Sequence, residues 1–585
     1  MKDADDSLLL PNGNLIGNKR HDCLGVPLAE VVALKEGIKM KLKMMALIPP
    51  VLMVLMYGKL PEIAQALKSE TAFYNSDNDA LVTETAQGEI SIDSFPKLET
   101  DKDDTERIQR AVDYCLANDK DLFFPSGGSY VLRSVNVEAG LRIVGYGATF
   151  TLADNQSKFT RMFTTENRAW ESSEDSDYLI FEGMTFDGNC WNQGEFQNYE
   201  LEQQFGIMYM GSVEDTGMLR GKVINCRFQN WAADGVHIYT NADVEVTGGT
   251  SINCFRGGIV ASGSPANIRV TDFVAEKGEF GKAMDFEIDT GDKINLTVDS
   301  VLAYRGVDFE LSEGSTANIE GLTVIDSLTT VYGFKNEITI NNSNLGHLEV
   351  INATNTTIND STITVTPSTT EDVDGAYVWV VDSFEELPKE DYYTEFNNCT
   401  FVRLDQDDSV ETDKEINAVK GYFGKIALND CTIGGGFTNG YFGFGVAYAY
   451  LTNVFFDSDT AVAMQPLTWA RTYEVVLDNV QYGENNTVPF LFMDYMKTEP
   501  FTTVVFQNMA LDSTKSGFGG AEAIGTTKIE SSRTIFVTAD PTAAAVPGFI
   551  GDTARLVTPV EGQPDEWVAT TSDPVSATWE VTEKQ

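Results

Sequence analysis

Two short stretches of this chain read alike: Ala283-Met284-Asp285-Phe286-Glu287-Ile288 and Gly306-Val307-Asp308-Phe309-Glu310-Leu311. Each alternates apolar and acidic residues with the period of two that sends one set of side chains inside a sheet and the other outside. Met284, Phe286 and Ile288 are expected to face a core, and Asp285, Glu287 and Asp289 to face water. The second stretch follows the first by 23 residues, so on stacked strands Asp308 falls beside Asp285 and Glu310 beside Glu287. Neighbouring strands lie about 4.8 Å apart and alternate residues of one strand about 6.8 Å apart. Carboxyl pairs in such a patch fall near both the retaining separation of roughly 5–5.5 Å and the inverting one of roughly 6.5–9.5 Å used in glycoside hydrolysis. The spacing does not select between them. Crowding like charges raises the proton affinity of at least one carboxyl, as a general acid requires.

Other reactive side chains align with the acids. His237 falls in the column of Asp285 and Asp308, two coils before Asp285, with Tyr239 on the same outer face. Lys282 and Arg305 immediately precede the aligned starts of the two acidic strands and are placed to hold an anionic sugar, which the surface would otherwise repel. An elimination reaction would take its base from His237, Lys282 or Tyr239 and would need a cation or Arg on the uronate carboxylate; Ca²⁺ held by the acids could serve. Hydrolysis needs no cofactor. Trp191 and Trp231, each after a coil corner, are the leading surfaces for stacking on sugar rings, with Trp170, Tyr199, Tyr422, Phe423, Tyr441, Phe442 and Phe444 beside them. The bland alternative is that outer strand faces are polar by necessity and that 88 Asp and Glu among 585 residues fill them by frequency. Against it stands the recurrence of Asp-Phe-Glu on adjacent coils, where stacked acids destabilise each other.

The 23-residue step belongs to a longer series. Gly206-Ile207, Gly235-Val236 and Gly258-Ile259 carry the same small-apolar start, at steps of 29, 23 and 25 leading to Ala283. A second column is read through Asn225-Cys226, Asn253-Cys254, Asn398-Cys399 and Asp430-Cys431. Short β-like runs at variable steps of this size, with Gly or Asn at corners, describe the coils of a parallel β-helix, whose inner faces are buried only by stacking. A solenoid grows along one axis, so 585 residues need no division into compact domains.

The formal charge of -47 argues against a nucleic-acid partner and for an acidic, solvated surface. Seven Cys do not suggest a disulfide framework, and small thiols stacked inside the helix account for the Asn-Cys pairs. With no CxxC pair and three His, no structural zinc site is expected.

Residues 1–90 read as an N-terminal attachment or assembly region: a polar tail to 26, a helix over 27–42 and a second over 60–67. An apolar segment at 44–57 is shorter than the roughly 20 residues needed to span a bilayer. Lys39 to Lys43 ahead of it, and Ala64-Gln65-Ala66 after it, imitate a signal peptide. Residues 91–540 form the β-helix, opened by a capping helix over 103–117 that turns Ile108, Ala111, Val112 and Cys115 to one face. An acidic loop over 371–393 is expected to bulge from it, and 541–585 to form a small β cap.

The helix Asp103-Asp104-Thr105-Glu106-Arg107-Ile108-Gln109-Arg110-Ala111, the turn Phe123-Phe124-Pro125-Ser126-Gly127-Gly128-Ser129-Tyr130 and Phe186-Asp187-Gly188-Asn189 resemble the pectate-lyase-like superfamily of right-handed parallel β-helices. That superfamily includes polysaccharide lyases, glycoside hydrolases and bacteriophage tailspikes. The resemblance implies an all-β solenoid. It is closest to the tailspikes in its order of parts, which implies a homotrimer, a virion at the N-terminal end and a host-surface polysaccharide at the body. Ile92-Asp93-Ser94-Phe95-Pro96-Lys97 replaces the usual G-A-x-x-D-G lead-in, and neither the catalytic signatures of pectate lyases and polygalacturonases nor the Y-G-F-D-P-H motif of mannuronan epimerases occurs. Three functions follow as expectations: a tailspike that hydrolyses glycosidic bonds with acids drawn from Asp285, Glu287, Asp308 and Glu310, a secreted lyase, and a spike that binds glycan without cutting it.

Overall fold

The computed structural model describes residues 72–582 except 76–79, 86–87, 166–176, 197–199, 212–217, 266, 289–292, 326, 334–335, 366–372, 380–391, 405–415, 445–447, 466–473, 493–502, 516–527, 561–563 and 574–575. The expected N-terminal helices, the apolar segment at 44–57 and its signal-like flanks therefore lie outside the described residues, as do Asp289, Trp170 and Tyr199.

Among the described residues, three long parallel sheets make up the body. The first runs through 17 strands, from Ile90–Ser91 to Lys528–Ser531. The second and third have 14 strands each, starting at Ser129–Leu132 and Val135–Asn136. Successive strands of the chain visit the sheets in turn, and each strand pairs in parallel with its counterpart one coil later. This is the parallel β-helix the repeats describe. The small-apolar column is read in the correct register: Ile207, Val236, Ile259, Met284 and Val307 are successive partners in the third sheet. Gly235 shows why the column begins small, because a Cβ there would lie 2.6 Å from the Gly258 carbonyl and 2.7 Å from Phe228 Cβ.

Inside, like stacks on like. Phe150, Phe186 and Phe228 are register partners, with Phe186 and Phe228 rings 5.1 Å apart and nearly parallel. Phe286 and Phe309 repeat the arrangement at 5.8 Å. Such pairs add to the transfer free energy of burying each ring, worth about 1.5–3 kcal/mol.

The Asn-Cys column needs correcting. Cys226, Cys399 and Cys431 do sit alike, each buried after a left-handed Asn or Asp at the corner between the first and second sheets. Cys254 does not join them. It pairs with Trp231 at the far end of the second-sheet strands, because Thr250 and not Phe255 is the partner of Arg227. Asn and Asp tolerate the left-handed conformation these corners demand, and their side chains link successive coils: Asn398 Nδ2 donates to Asp360 Oδ1 at 2.6 Å and Asn453 Nδ2 to Asp430 Oδ1 at 2.8 Å.

The helix expected over 103–117 spans Thr105–Asn118 and buries Ile108, Ala111, Val112 and Cys115. It is tied to the first coils by Gln109, which donates to the Asn136 carbonyl at 3.1 Å and accepts from its N–H at 2.8 Å. The region expected as an acidic loop contains a strand of the third sheet, Val373–Trp379, whose alternation was obscured by the acids around it. Beyond the coils a five-stranded sheet, from Ala510–Asp512 to Trp579–Val581, packs Ile535, Val537, Trp567 and Trp579 into a separate core. A buried ion pair, Arg533 to Asp552 at 2.6 Å, fastens two of its turns.

Candidate functional site

The third sheet carries two adjacent outward columns. One reads His237, Val260, Asp285, Asp308, Thr330, Glu349, Tyr377, Lys420 and Phe442 along the helix axis. The other reads Ser262, Glu287, Glu310, Tyr332, Ile351, Trp379, Tyr422 and Phe444. Asp285 is thus the direct partner of Asp308, and Glu287 of Glu310, as the 23-residue step predicts.

Exposure departs from the expectation. Asp285 does not face water: it is 2% exposed, while Glu287 beside it is exposed and Glu310 half-buried. The cause is Lys282, whose Nζ lies 3.1 Å from Asp285 Oδ2 and also contacts Asp308 Oδ2. Asp285 Oδ1 is buried with no hydrogen-bond partner. Burial pushes the Asp285 carboxyl up to about 7; Lys282 opposes the rise, and Glu287 and Asp308 add to it. Burial, then Glu287 and Asp308, also raise Glu310. Burial disfavours the charge on Lys282, but the two aspartates more than offset it and hold the ammonium protonated.

The other expected residues separate. His237 is buried, with its ring stacked on Phe205 at 4.2 Å and its Nδ1 2.7 Å from Asp234 Oδ2. Tyr239 lies beside it, with ring centroids 6.0 Å apart. Arg305 does not reach the acids: its guanidinium donates to the Gly278 carbonyl in the loop of the preceding coil. Trp231 offers no face to a sugar, being fully buried with Nε1 donating to the Phe186 carbonyl at 3.1 Å. Left-handed Asn230, φ 55°, breaks the period of two and turns the following side chain inward. Trp191 is 55% exposed and packs edge-on against Phe196 and Phe280 on the second-sheet side. Tyr441 is core, whereas Tyr422, Phe442 and Phe444 remain on the outer face of the third sheet.

Several residues were missed. Glu349, Tyr377, Trp379 and Lys420 extend the columns beyond the acids. Lys420 lies 3.4 Å from Asp374 and over the rings of Tyr377 and Tyr422, at 5.8 and 5.6 Å. Continuing the register past Leu311 would have found them. Asp234 and Ser262 were also missed, because neither recurs on the next coil.

Among the described residues no group of three or more Asp, Glu, His or Cys converges as a metal cage. Lys282 Nζ stands against both Asp285 and Asp308, where an ion bridging them would have to sit.

No family model matches the chain, and no curated protein does. The strand ladders nonetheless define its class, a parallel β-helix. Among solved structures the chain is similar to the A-module of the mannuronan C-5 epimerase AlgE4 of Azotobacter vinelandii, at 12% identity and a TM-score of 0.25, over 76% of this chain and 99% of that one. It is similar to an endo-xylogalacturonan hydrolase from Aspergillus tubingensis at 11% and 0.27, over 76% and 94%. The tailspike protein of the Acinetobacter phage vB_ApiP_P1 follows at 10% and 0.31, over 72% and 66%. The likeness is one of fold.

Proposed function

We propose that this protein acts on a polysaccharide by glycosidic hydrolysis along the outer face of its third sheet. The observation that carries the reading is Asp285: a buried carboxyl that keeps its proton to about pH 7 next to the exposed carboxylate of Glu287. Asp285 donates its proton to the glycosidic oxygen as the bond breaks. Glu287 takes a proton from the water that attacks the opposite face of the sugar. Alternate residues of a strand are about 6.8 Å apart, which suits the inverting course. Glu287 and Asp308 help to keep Asp285 protonated through their charge. Lys282, held protonated against Asp308, is not the base; it supplies a cation beside these acids for an anionic sugar. Farther along the same face, Trp379, Tyr422 and Phe444 offer rings on which a chain of sugars could stack.

The finer reading is the glycan-contacting body of a homotrimeric, phage-type tailspike at a virion surface. The order of an attachment segment before a β-helix supports it, and light scattering on the full chain tests the trimer. A second reading, a spike that binds without cutting, is favoured by one observation, the Lys282 ammonium lying against the acid.

A panel of acidic bacterial and algal polysaccharides separates these. New reducing ends without the ultraviolet absorbance of unsaturated uronate support hydrolysis. That absorbance would mean elimination, and binding with no cleavage of any polymer would favour the spike.

A further inference from the structure

On the two coils before the acids, three side chains form a relay that glycoside hydrolysis does not use. Ser262 Oγ lies 3.1 Å from His237 Nε2, and His237 Nδ1 lies 2.7 Å from Asp234 Oδ2. Asp234 is fully buried, His237 is 4% exposed and Ser262 is half-buried, so the relay runs from a buried charge outward to a hydroxyl. Arg256 Nε lies 3.3 Å from Asp234 Oδ1, on the other side of that carboxylate. With Asp234 accepting from Nδ1–H, the tautomer leaves Nε2 to accept from the serine hydroxyl. The flat stack of the imidazole on Phe205 holds its plane.

We propose that Ser262, His237 and Asp234 form a second catalytic centre, one that hydrolyses short acyl esters of sugar hydroxyls. Ser262 Oγ bonds to the acyl carbon while His237 Nε2 takes its proton. The bond from that carbon to the sugar oxygen then breaks, and His237 returns the proton to the leaving hydroxyl. Water, deprotonated by His237, attacks the acyl-serine; Ser262 recovers its proton and the carboxylic acid departs. Asp234 positions the imidazole and stabilises its cation. The Tyr239 ring lies over the backbone at Gly263, next to the serine: a Cβ on Gly263 would lie 2.6 Å from Tyr239 Cε2. Phe205, Met208, Met210 and the Tyr239 ring supply an apolar wall beside His237, suited to a short acyl chain. Ser262 is the register partner of Glu287, so an ester on the bound polymer lies within one coil of the bond to be cut.

The test uses the full chain with p-nitrophenyl acetate and a fluorophosphonate, neither of which requires a polysaccharide, so its outcome is independent of the glycosidic reading. The expected result is ester turnover that falls about 10³-fold or more in Ser262→Ala, with the phosphonyl mass found on the Ser262 peptide of the wild type alone. Asp234→Asn, folded by circular dichroism, should lower kcat with KM held. A folded wild type that neither turns over the ester nor takes the label would overturn the proposal. So would turnover that survives in Ser262→Ala, or an unchanged kcat in folded Asp234→Asn.

Discussion

Asp285 and Asp308 stand directly opposite each other on adjacent coils, and one ammonium, that of Lys282, bridges both. Two stacked aspartates would repel each other on a bare sheet. Here the cation allows one to be buried while the neighbouring glutamates stay in reach of solvent.

Replacing Lys282 with Met should therefore lower stability even though it removes a polar group. Breaking a buried pair costs about 3–5 kcal/mol, but the Lys282 side chain is 38% exposed, and solvent screening brings the expected loss to about 1–2 kcal/mol. The urea midpoint measures it. The same substitution should move the deprotonation of Asp285 to higher pH, since Lys282 is the group holding it down.

The raised carboxyl also sets how stability varies with pH. Asp285 titrates near 7 when folded and near 3.9 when unfolded, so between these values the folded state binds more protons. Its contribution is fully present below about pH 4 and is lost as pH rises through 7, amounting to at most about 4 kcal/mol. Burial raises Glu310 and Glu349 in the same direction. Urea unfolding across this range should give a shallower decline for Asp285→Asn than for the wild type.

The aromatic face is expected to bind and not to cut. In an Asp285→Asn background, adding Tyr422→Ala or Trp379→Ala should weaken polymer binding by roughly 0.5–1.5 kcal/mol each, about 2- to 12-fold in Kd by calorimetry. Trp231→Ala should instead cost about 3–5 kcal/mol of stability, since that ring is fully buried.

The sequence exposed the coil register wherever a small residue preceded an apolar one, because close backbone approach leaves room for nothing larger at that corner. It exposed the acid pairing for the same reason: both strands start from that corner and repeat one motif. It hid the fates of Trp231 and Cys254, since left-handed Asn230 and Asn253 each shift the alternation by one residue without changing the composition. Arg305 was misplaced because a long side chain beside a corner can turn to either sheet, and the Gly278 carbonyl claimed it. The burial of Asp285 was illegible because it depends on how Lys282 folds back across two strands.

The central claim is that Asp285 is the proton donor. It is tested most directly by comparing the cleaved polysaccharide with a nitrophenyl glycoside of the same repeat, whose leaving group needs no protonation. The account predicts that Asp285→Asn slows cleavage of the polymer by about 10²–10⁴-fold and slows the activated glycoside far less. An equal loss on both substrates, or an undiminished rate on the polymer, would contradict it.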